Sequence, residues 1–302
     1  MLADHWLVHD VTAALLGDLD AALREAIESR DPHLGEAAAH LVGRGGKRVR
    51  PALLFLAAAC GPDPAARDDL LRVATAVELL HVASLYHDDV MDRAATRRGS
   101  PTVNALRGDA AAVTAGTFVF GRAVRLLAAV DGQITAWASE AMLALTLGQM
   151  QEAENTYNLD HRLDSYAQIA ARKTAALFEL SCRAGARLSG APVEALGRYG
   201  RALGLAFQAA DDTLDLTARP ETLGKQPGTD LREGVYGLPV LIALHQQAPQ
   251  TEELRRLLRR DELTQEGQQE ACRLVDELGG IHGAFTIARD YARQARGHLA
   301  PI

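Results

Sequence analysis

The sequence predicts an all-α protein. Alanine is abundant while aromatic residues make up only 5% of the chain, a balance that favours helices over a β-sandwich or barrel. Apolar residues recur at helical spacing, and no stretch alternates apolar and polar residues as a half-buried strand would. Hydrophobic residues amount to 48% and charged residues to 24%, enough apolar material for a sizeable core in an ordinary globular protein. There is no Gly/Ser-rich linker or low-complexity tract. All 302 residues are therefore read as one domain, a helical bundle.

Taken in order, residues 5–29 read as an amphipathic helix, with Leu15, Leu19, Leu23 and Ile27 recurring at i+4 and Asp31-Pro32 ending it. A shorter helix leads into Gly43-Arg44-Gly45-Gly46-Lys47-Arg48-Val49-Arg50-Pro51. Its cations and flexible glycine N–H groups suit a phosphate cradle, although a solvated basic turn has the same composition. The spacing is not that of a nucleotide P-loop. Ala52–Ala59 reads as a buried helix and Gly61-Pro62-Asp63-Pro64 as a turn. Helices are expected from about Asn104, over Gly116–Val130 and over Ile134–Leu147. Within IAARKTAALF the neighbours of Lys173 one turn away are Ile169, Ala170, Ala176 and Leu177, so no local acid pairs with it. Such a lysine is either on an exposed face or in a pocket for a diphosphate. A glycine- and proline-rich loop, Leu223–Asp230, carries Lys225, and Leu238-Pro239 starts another helix. From Thr251 onward the chain reads as charged, amphipathic helix forming an outer layer.

The chemistry centres on Glu78–Arg98, ELLHVASLYHDDVMDRAATRR. Asp88, Asp89 and Asp92 form D-D-x-x-D after an apolar helical run. Asp88 and Asp92, four apart, project from one face, with Asp89 roughly 100° round. Val77, Leu80, His81 and Ser84 lie on or beside that face in the preceding turns. Arg97 and Arg98 follow, and Gly99, Ser100 and Pro101 are expected to end the helix. Leu205–Leu216, LAFQAADDTLDL, repeats the triplet as Asp211, Asp212 and Asp215, its first acid 123 residues later (211 minus 88). One triplet is equally a solvated helix end. Two, each in core-type sequence, point to carboxylates holding Mg²⁺ against a substrate diphosphate in a cavity between facing helices.

Composition limits the alternatives. A net charge of −7 argues against nucleic acid as a partner, since that needs a basic face. Cys60, Cys182 and Cys272 are odd in number and widely spaced, which excludes a disulfide framework or a Cys-x-x-Cys metal site and favours a reducing compartment. MLADHWLVHD has acids and histidines where a secretory signal needs a basic and then an apolar stretch. The longest apolar run, Ala52–Cys60, is far short of the ~20 residues a membrane span requires. The expectation is a cytoplasmic protein with no membrane span.

Together these residues resemble the trans-isoprenyl diphosphate synthase (polyprenyl synthetase) family. The match runs in order through GGKRVRP at 45–51, ELLHVASLYHDDVMD at 78–92, RRGSPTVN at 97–104, KT at 173–174, FQAADDTLD at 207–215 and LGKQPGTD at 223–230. The resemblance implies the isoprenoid synthase fold, helices around a deep central cavity, usually as a homodimer. It implies that Asp88, Asp92, Asp211 and Asp215 hold Mg²⁺, about three ions per active site with substrate bound, supported by Asp89 and Asp212. It assigns Arg97, Lys173, Thr174, Gln208 and Lys225 to an allylic diphosphate, and Lys47, Arg50, His81 and Arg98 to isopentenyl diphosphate. The chain departs from the family pattern at Thr117, Val235 and Gly237, where acid, lysine and threonine are common.

In this family the turns before the first aspartate floor the elongation tunnel. Ala83 and Ser84 are small there, and Leu80 and Val77 come next. Each turn descends ~5.4 Å, about one isoprene unit. The expected product is therefore of geranylgeranyl length or longer. A class I terpene cyclase, a prenyltransferase with another acceptor and a non-catalytic partner subunit are the alternatives. Cyclases usually lack the second full triplet and the GGKRxRP loop, and partner subunits commonly lose one triplet.

Overall fold

The computed structural model describes residues 10–217, 228–259 and 263–300. The described chain is helical, as expected, and packs as two compact units. One takes in the described residues up to Met142 together with Leu177–Gly200; the other takes in those of Leu143–Ala176 and Arg201–Ala300.

The first unit contains α1 (Asp10–Ala26), α2 (Pro32–Val42), α3 (Val49–Ala59), α4 (Arg67–Met91), α5 (Val103–Arg107) and α6 (Asp109–Ala128). The i+4 stripe is buried as the periodicity required: Leu15, Leu19 and Leu23 on α1, and Ile27 in the turn just after it, are at most 3% exposed. Asp31 caps α2, accepting from the Leu34 N–H at 3.0 Å, and Pro32 opens the helix where no N–H is needed. α4 is the unit's centre. Val73, Ala74, Ala76, Val77, Leu79, Leu80 and Val82 have no exposed surface, so α4 is apolar on nearly every side and packs against α1, α3 and α6. Burying each Leu or Val contributes roughly 1.5–3 kcal/mol.

Small residues let α6 approach α4: a Cβ on Gly116 would sit 2.7 Å from His87 Nε2 and 3.0 Å from Tyr86 Cβ. By length and composition alone α6 could cross a membrane, yet Ala112, Ala115, Val119, Ala123 and Leu127 are buried within the unit.

The sequence placed the end of the aspartate-bearing helix at Gly99; it ends at Met91. Arg93 takes a left-handed conformation (φ 51°), its N–H bonds Val90 O at 3.2 Å, and the Ala94 N–H bonds Asp89 O at 2.9 Å. This is the Schellman pattern, with arginine where glycine is usual. The chain then turns through a two-stranded hairpin that periodicity did not predict, β1 (Thr96–Arg97) against β2 (Ser100–Pro101), with Arg97 opposite Ser100. Arg98 (φ 52°) and Gly99 (φ 72°) fill the two left-handed positions of a tight hairpin turn.

α7 (Gly132–Glu154) begins in the first unit and ends in the second. The second unit continues with α8 (Leu163–Ala170), a π-helical turn (Ala171–Ala175) that leads into α9 (Ala176–Ser189), and the later part of α10 (Val193–Thr217). It closes with α11 (Thr229–Arg232), α12 (Leu238–Leu244), α13 (Pro249–Leu258), α14 (Gln265–Glu277) and α15 (Gly280–His298). The charged helices after Thr251 are more than the outer layer expected. Leu254, Ala271, Leu274 and Val275 are fully buried and pack with Leu231, Tyr236, Val240 and Leu241 into the unit's main core.

Candidate active site

The first triplet occupies the last turn of α4, and its acids have different surroundings. Asp88 is buried at 8% exposure, while Asp92 is the exposed C-cap. Asp89 points inward at 1% exposure and accepts from the Arg97 Nε. The hairpin turn brings Arg97 back onto it. Burial raises the Asp89 carboxyl above the usual range, and the Arg97 guanidinium only partly offsets this. Oδ2 of Asp89 is buried with no hydrogen-bond partner, an acceptor left for water or a cation.

A basic group surrounds the turns just before. Arg98 donates to Gly45 O, and its guanidinium lies 3.3 Å from where a Gly46 Cβ would stand. Arg50 lies over the Phe178 ring, 5.3 Å from its centroid. Desolvation, opposed by Glu78, lowers Arg50 to about 10. Desolvation and the neighbouring Arg50, Arg98, Arg97 and Arg48 hold His81 well below 6.5, so its imidazole is neutral at pH 7. Arg48 is already committed to buried Glu78 at 2.7 Å and to Asp20 at 2.9 Å. Lys47 is exposed.

The four residues assigned to the tunnel floor are buried on α4: Ser84 6%, Ala83 1%, Leu80 and Val77 0%. The Ser84 hydroxyl donates to His81 O at 2.8 Å. Thr117, a departure from the family pattern, is exposed and its hydroxyl donates back to Val113 O.

In the second unit, Asp211 is exposed and Asp215 is 5% exposed beside Cys272, whose thiol is pushed up to about 11 by burial and by that carboxylate. Asp212 is held from three directions. It accepts from Tyr166 Oη (2.6 Å), Gln208 Nε2 (2.7 Å) and the Leu238 N–H (2.8 Å). Desolvation nonetheless pushes its carboxyl up to about 6. Gln208 in turn accepts from the Thr174 hydroxyl at 2.5 Å. Thr174 and Lys173 stand on the π-helical turn, a feature common at functional sites. α7 makes room for that turn: a Cβ on Gly148 would sit 2.9 Å from the Lys173 N.

Lys173 lacks a local acid, as the sequence indicated, but Glu152 from α7 pairs with it, and Arg172 donates to Gln151 at 2.5 Å. Sequence reasoning missed Glu152, Tyr166 and Glu78 as partners. Tyr166 is 46 residues from Asp212 and Glu152 is 21 from Lys173, separations that carry no helical signal. Lys225 lies outside the described residues. Val235 donates its N–H to Asp230 O.

These donors fit Mg²⁺. They are carboxylate oxygens, the hard ligands it prefers, and Asp89 leaves an orphaned buried acceptor beside Asp88. Among the described residues no three His, Cys, Asp or Glu groups form a complete metal cage.

The polyprenyl synthetase family profile matches residues 31–275. Over 286 residues the chain is 38% identical to a nonaprenyl diphosphate synthase of Mycobacterium tuberculosis, covering 93% of this chain and 84% of that protein. It is 36% identical over 248 residues to the octaprenyl diphosphate synthase of Escherichia coli, covering 80% and 76%. A crystal structure of a polyprenyl synthase from Caulobacter crescentus, complexed with calcium and isoprenyl diphosphate, superposes with a TM-score of 0.91 at 33% identity, covering 99% and 92%. The chain belongs to the polyprenyl synthetase family, all-α prenyltransferases of the isoprenoid synthase fold.

Proposed function

We infer that this protein condenses isopentenyl diphosphate with an allylic diphosphate, head to tail, to give a trans-polyprenyl diphosphate of geranylgeranyl length or longer. The observation that carries this is a family match over residues 31–275, which takes in the basic loop, both acid triplets and Lys173-Thr174. The similar proteins named as nonaprenyl and octaprenyl diphosphate synthases support a long product.

In this reading Lys47, Arg50, Arg98 and neutral His81 hold the diphosphate of isopentenyl diphosphate. Arg48 does not join them because Glu78 neutralises it. Lys173, Thr174, Gln208 and Lys225 hold the allylic diphosphate, and Arg97 reaches it only as far as its bond to Asp89 allows. Asp88, Asp92, Asp211 and Asp215 are the ligands for Mg²⁺. Bound Mg²⁺ would neutralise the leaving diphosphate. The allylic C–O bond then ionises, the double bond of isopentenyl diphosphate attacks the cation, and a proton passes to the released diphosphate. The chain needs no nucleophile of its own; its apolar α4 turns keep water from the cation.

The protein is further expected to be cytoplasmic and homodimeric. Its three cysteines are free, which supports a reducing compartment. One observation favours a second reading: the chain is 39% identical over 237 residues to the heptaprenyl diphosphate synthase component 2 of Geobacillus stearothermophilus, covering 76% of this chain and 72% of that protein. A chain of that kind would need another component for activity.

The test is incubation of the purified protein with Mg²⁺, isopentenyl diphosphate and each allylic primer in turn, with products read by mass. Elongated prenyl diphosphates are expected. A cyclic hydrocarbon would overturn the synthase reading, and turnover only on adding another protein would establish the two-component one.

A further inference from the structure

The middle acid of the second triplet is spent on the protein itself. Tyr166 Oη, Gln208 Nε2 and the Leu238 N–H approach Asp212 within 2.6–2.8 Å, one each from α8, α10 and the start of α12. Three protein donors leave little of this carboxylate for a metal ion. They also fix Gln208. Its Nε2 must face Asp212, so its Oε1 faces Thr174 and takes the hydroxyl proton at 2.5 Å.

Space around Asp212 is equally determined. A Cβ on Gly237 would lie 2.9 Å from Asp212 Cγ and 2.9 Å from Oδ2. Gly237 is in ordinary extended backbone (φ −69°, ψ 174°), so glycine is needed there for room, not for conformation. With this chain's neighbours in place, an added Cβ presses on the carboxylate and shifts it from the Leu238 N–H. Tyr166 Oη donates to the same oxygen, Oδ2, that accepts from the Leu238 N–H, while Gln208 Nε2 reaches Oδ1.

We propose that Asp212 is a positioning residue, aimed by Tyr166 and by the space at Gly237, that presents Gln208, Thr174 and the adjacent Asp211 to the allylic diphosphate. The proposal rests on the prenyltransferase reading and deepens it. The network lies wholly within the second unit, whereas Lys47, Arg50, His81 and Arg98 belong to the first. Loosening Asp212 therefore weakens the allylic diphosphate and spares isopentenyl diphosphate. The Thr174 hydroxyl donates to Gln208 Oε1, so a fixed Gln208 fixes where Thr174 stands when a diphosphate arrives, and a mobile Gln208 leaves that place undefined.

The test uses the full chain with Mg²⁺ and two non-ionising probes, farnesyl thiolodiphosphate and isopentenyl thiolodiphosphate, measured by calorimetry. Tyr166→Phe and Gly237→Ala should each weaken the farnesyl probe about tenfold, the effect of one lost charge-assisted hydrogen bond. Isopentenyl affinity should stay within about twofold. The double variant should fall short of the product of the two, because both act on one carboxylate. In steady state the KM for the allylic primer should rise while that for isopentenyl diphosphate holds. Equal weakening of both probes, or no change in either variant, overturns the proposal. If Tyr166→Phe does not fold, Gly237→Ala decides alone. If the unaltered protein binds neither probe, the prenyltransferase reading itself falls.

Discussion

Asp89 and Asp212 occupy the same place in the two triplets, and each is bound by the protein: Asp89 by Arg97, Asp212 by Tyr166, Gln208 and a backbone N–H. Breaking a buried pair by removing one partner leaves an uncompensated charge. Arg97→Ala should therefore destabilise the protein by about 2–3 kcal/mol, somewhat less than for a fully buried pair because Arg97 retains 28% exposure. Urea unfolding at pH 7 measures this, and a loss under about 0.5 kcal/mol would show that Asp89 does not depend on Arg97. His81 gives a pH dependence. Its imidazole is held well below 6.5 in the fold by desolvation and then by Arg50, Arg98, Arg97 and Arg48. The unfolded chain thus takes up the proton first. The contribution is complete above about pH 6.5 and is lost as pH falls below it, by up to about 1.4 kcal/mol per pH unit. Comparing urea unfolding of His81→Asn and the unaltered protein at pH 7 and pH 5 should show a smaller acid loss in the variant; parallel losses would refute the assignment.

At the scale of elements, close helix contacts are made by glycines. Gly185 of α9 packs against α3, where a Cβ would stand 2.1 Å from Leu54 O. Backbone cannot yield as a side chain does, so Gly185→Ala should cost about 1–3 kcal/mol of stability, read as a lower unfolding midpoint. An unchanged midpoint would mean the two helices can separate freely. The element order and the α1 stripe were legible because they rest on local spacing, which is what helical periodicity reports. The end of α4 was not. Its stop is a Schellman turn with Arg93 in the left-handed position, and nothing in the residue type marks it. The hairpin at Arg97–Ser100 was equally hidden, since strands of two residues have no period to detect. The acid triplets were legible as candidates, but the inward turn of Asp89 and Asp212 was not. That depends on Arg97, Tyr166 and Leu238, donors that spacing along one helix cannot supply.

At the scale of the whole molecule the account concerns how long a chain the enzyme builds and what starts each addition. Ala83 and Ser84 sit one turn before Asp88 with 1% and 6% exposure, between the acids and the fully buried Leu80 and Val77. A phenyl ring at either place adds bulk about one isoprene unit below the acids. Ala83→Phe or Ser84→Phe should shift the product mass distribution toward shorter prenyl chains, and an unchanged distribution would reject this floor. The central claim is that carboxylates of both triplets serve the ionisation of one substrate class. Single-turnover elongation of a bound allylic primer, followed by rapid quench in the presence of Mg²⁺, tests it most directly for Asp88→Asn and Asp211→Asn. Each should slow elongation by about 10²–10³-fold, the usual consequence of removing one group that stabilises developing charge. Either variant elongating within a factor of about two of the unaltered protein would contradict the claim.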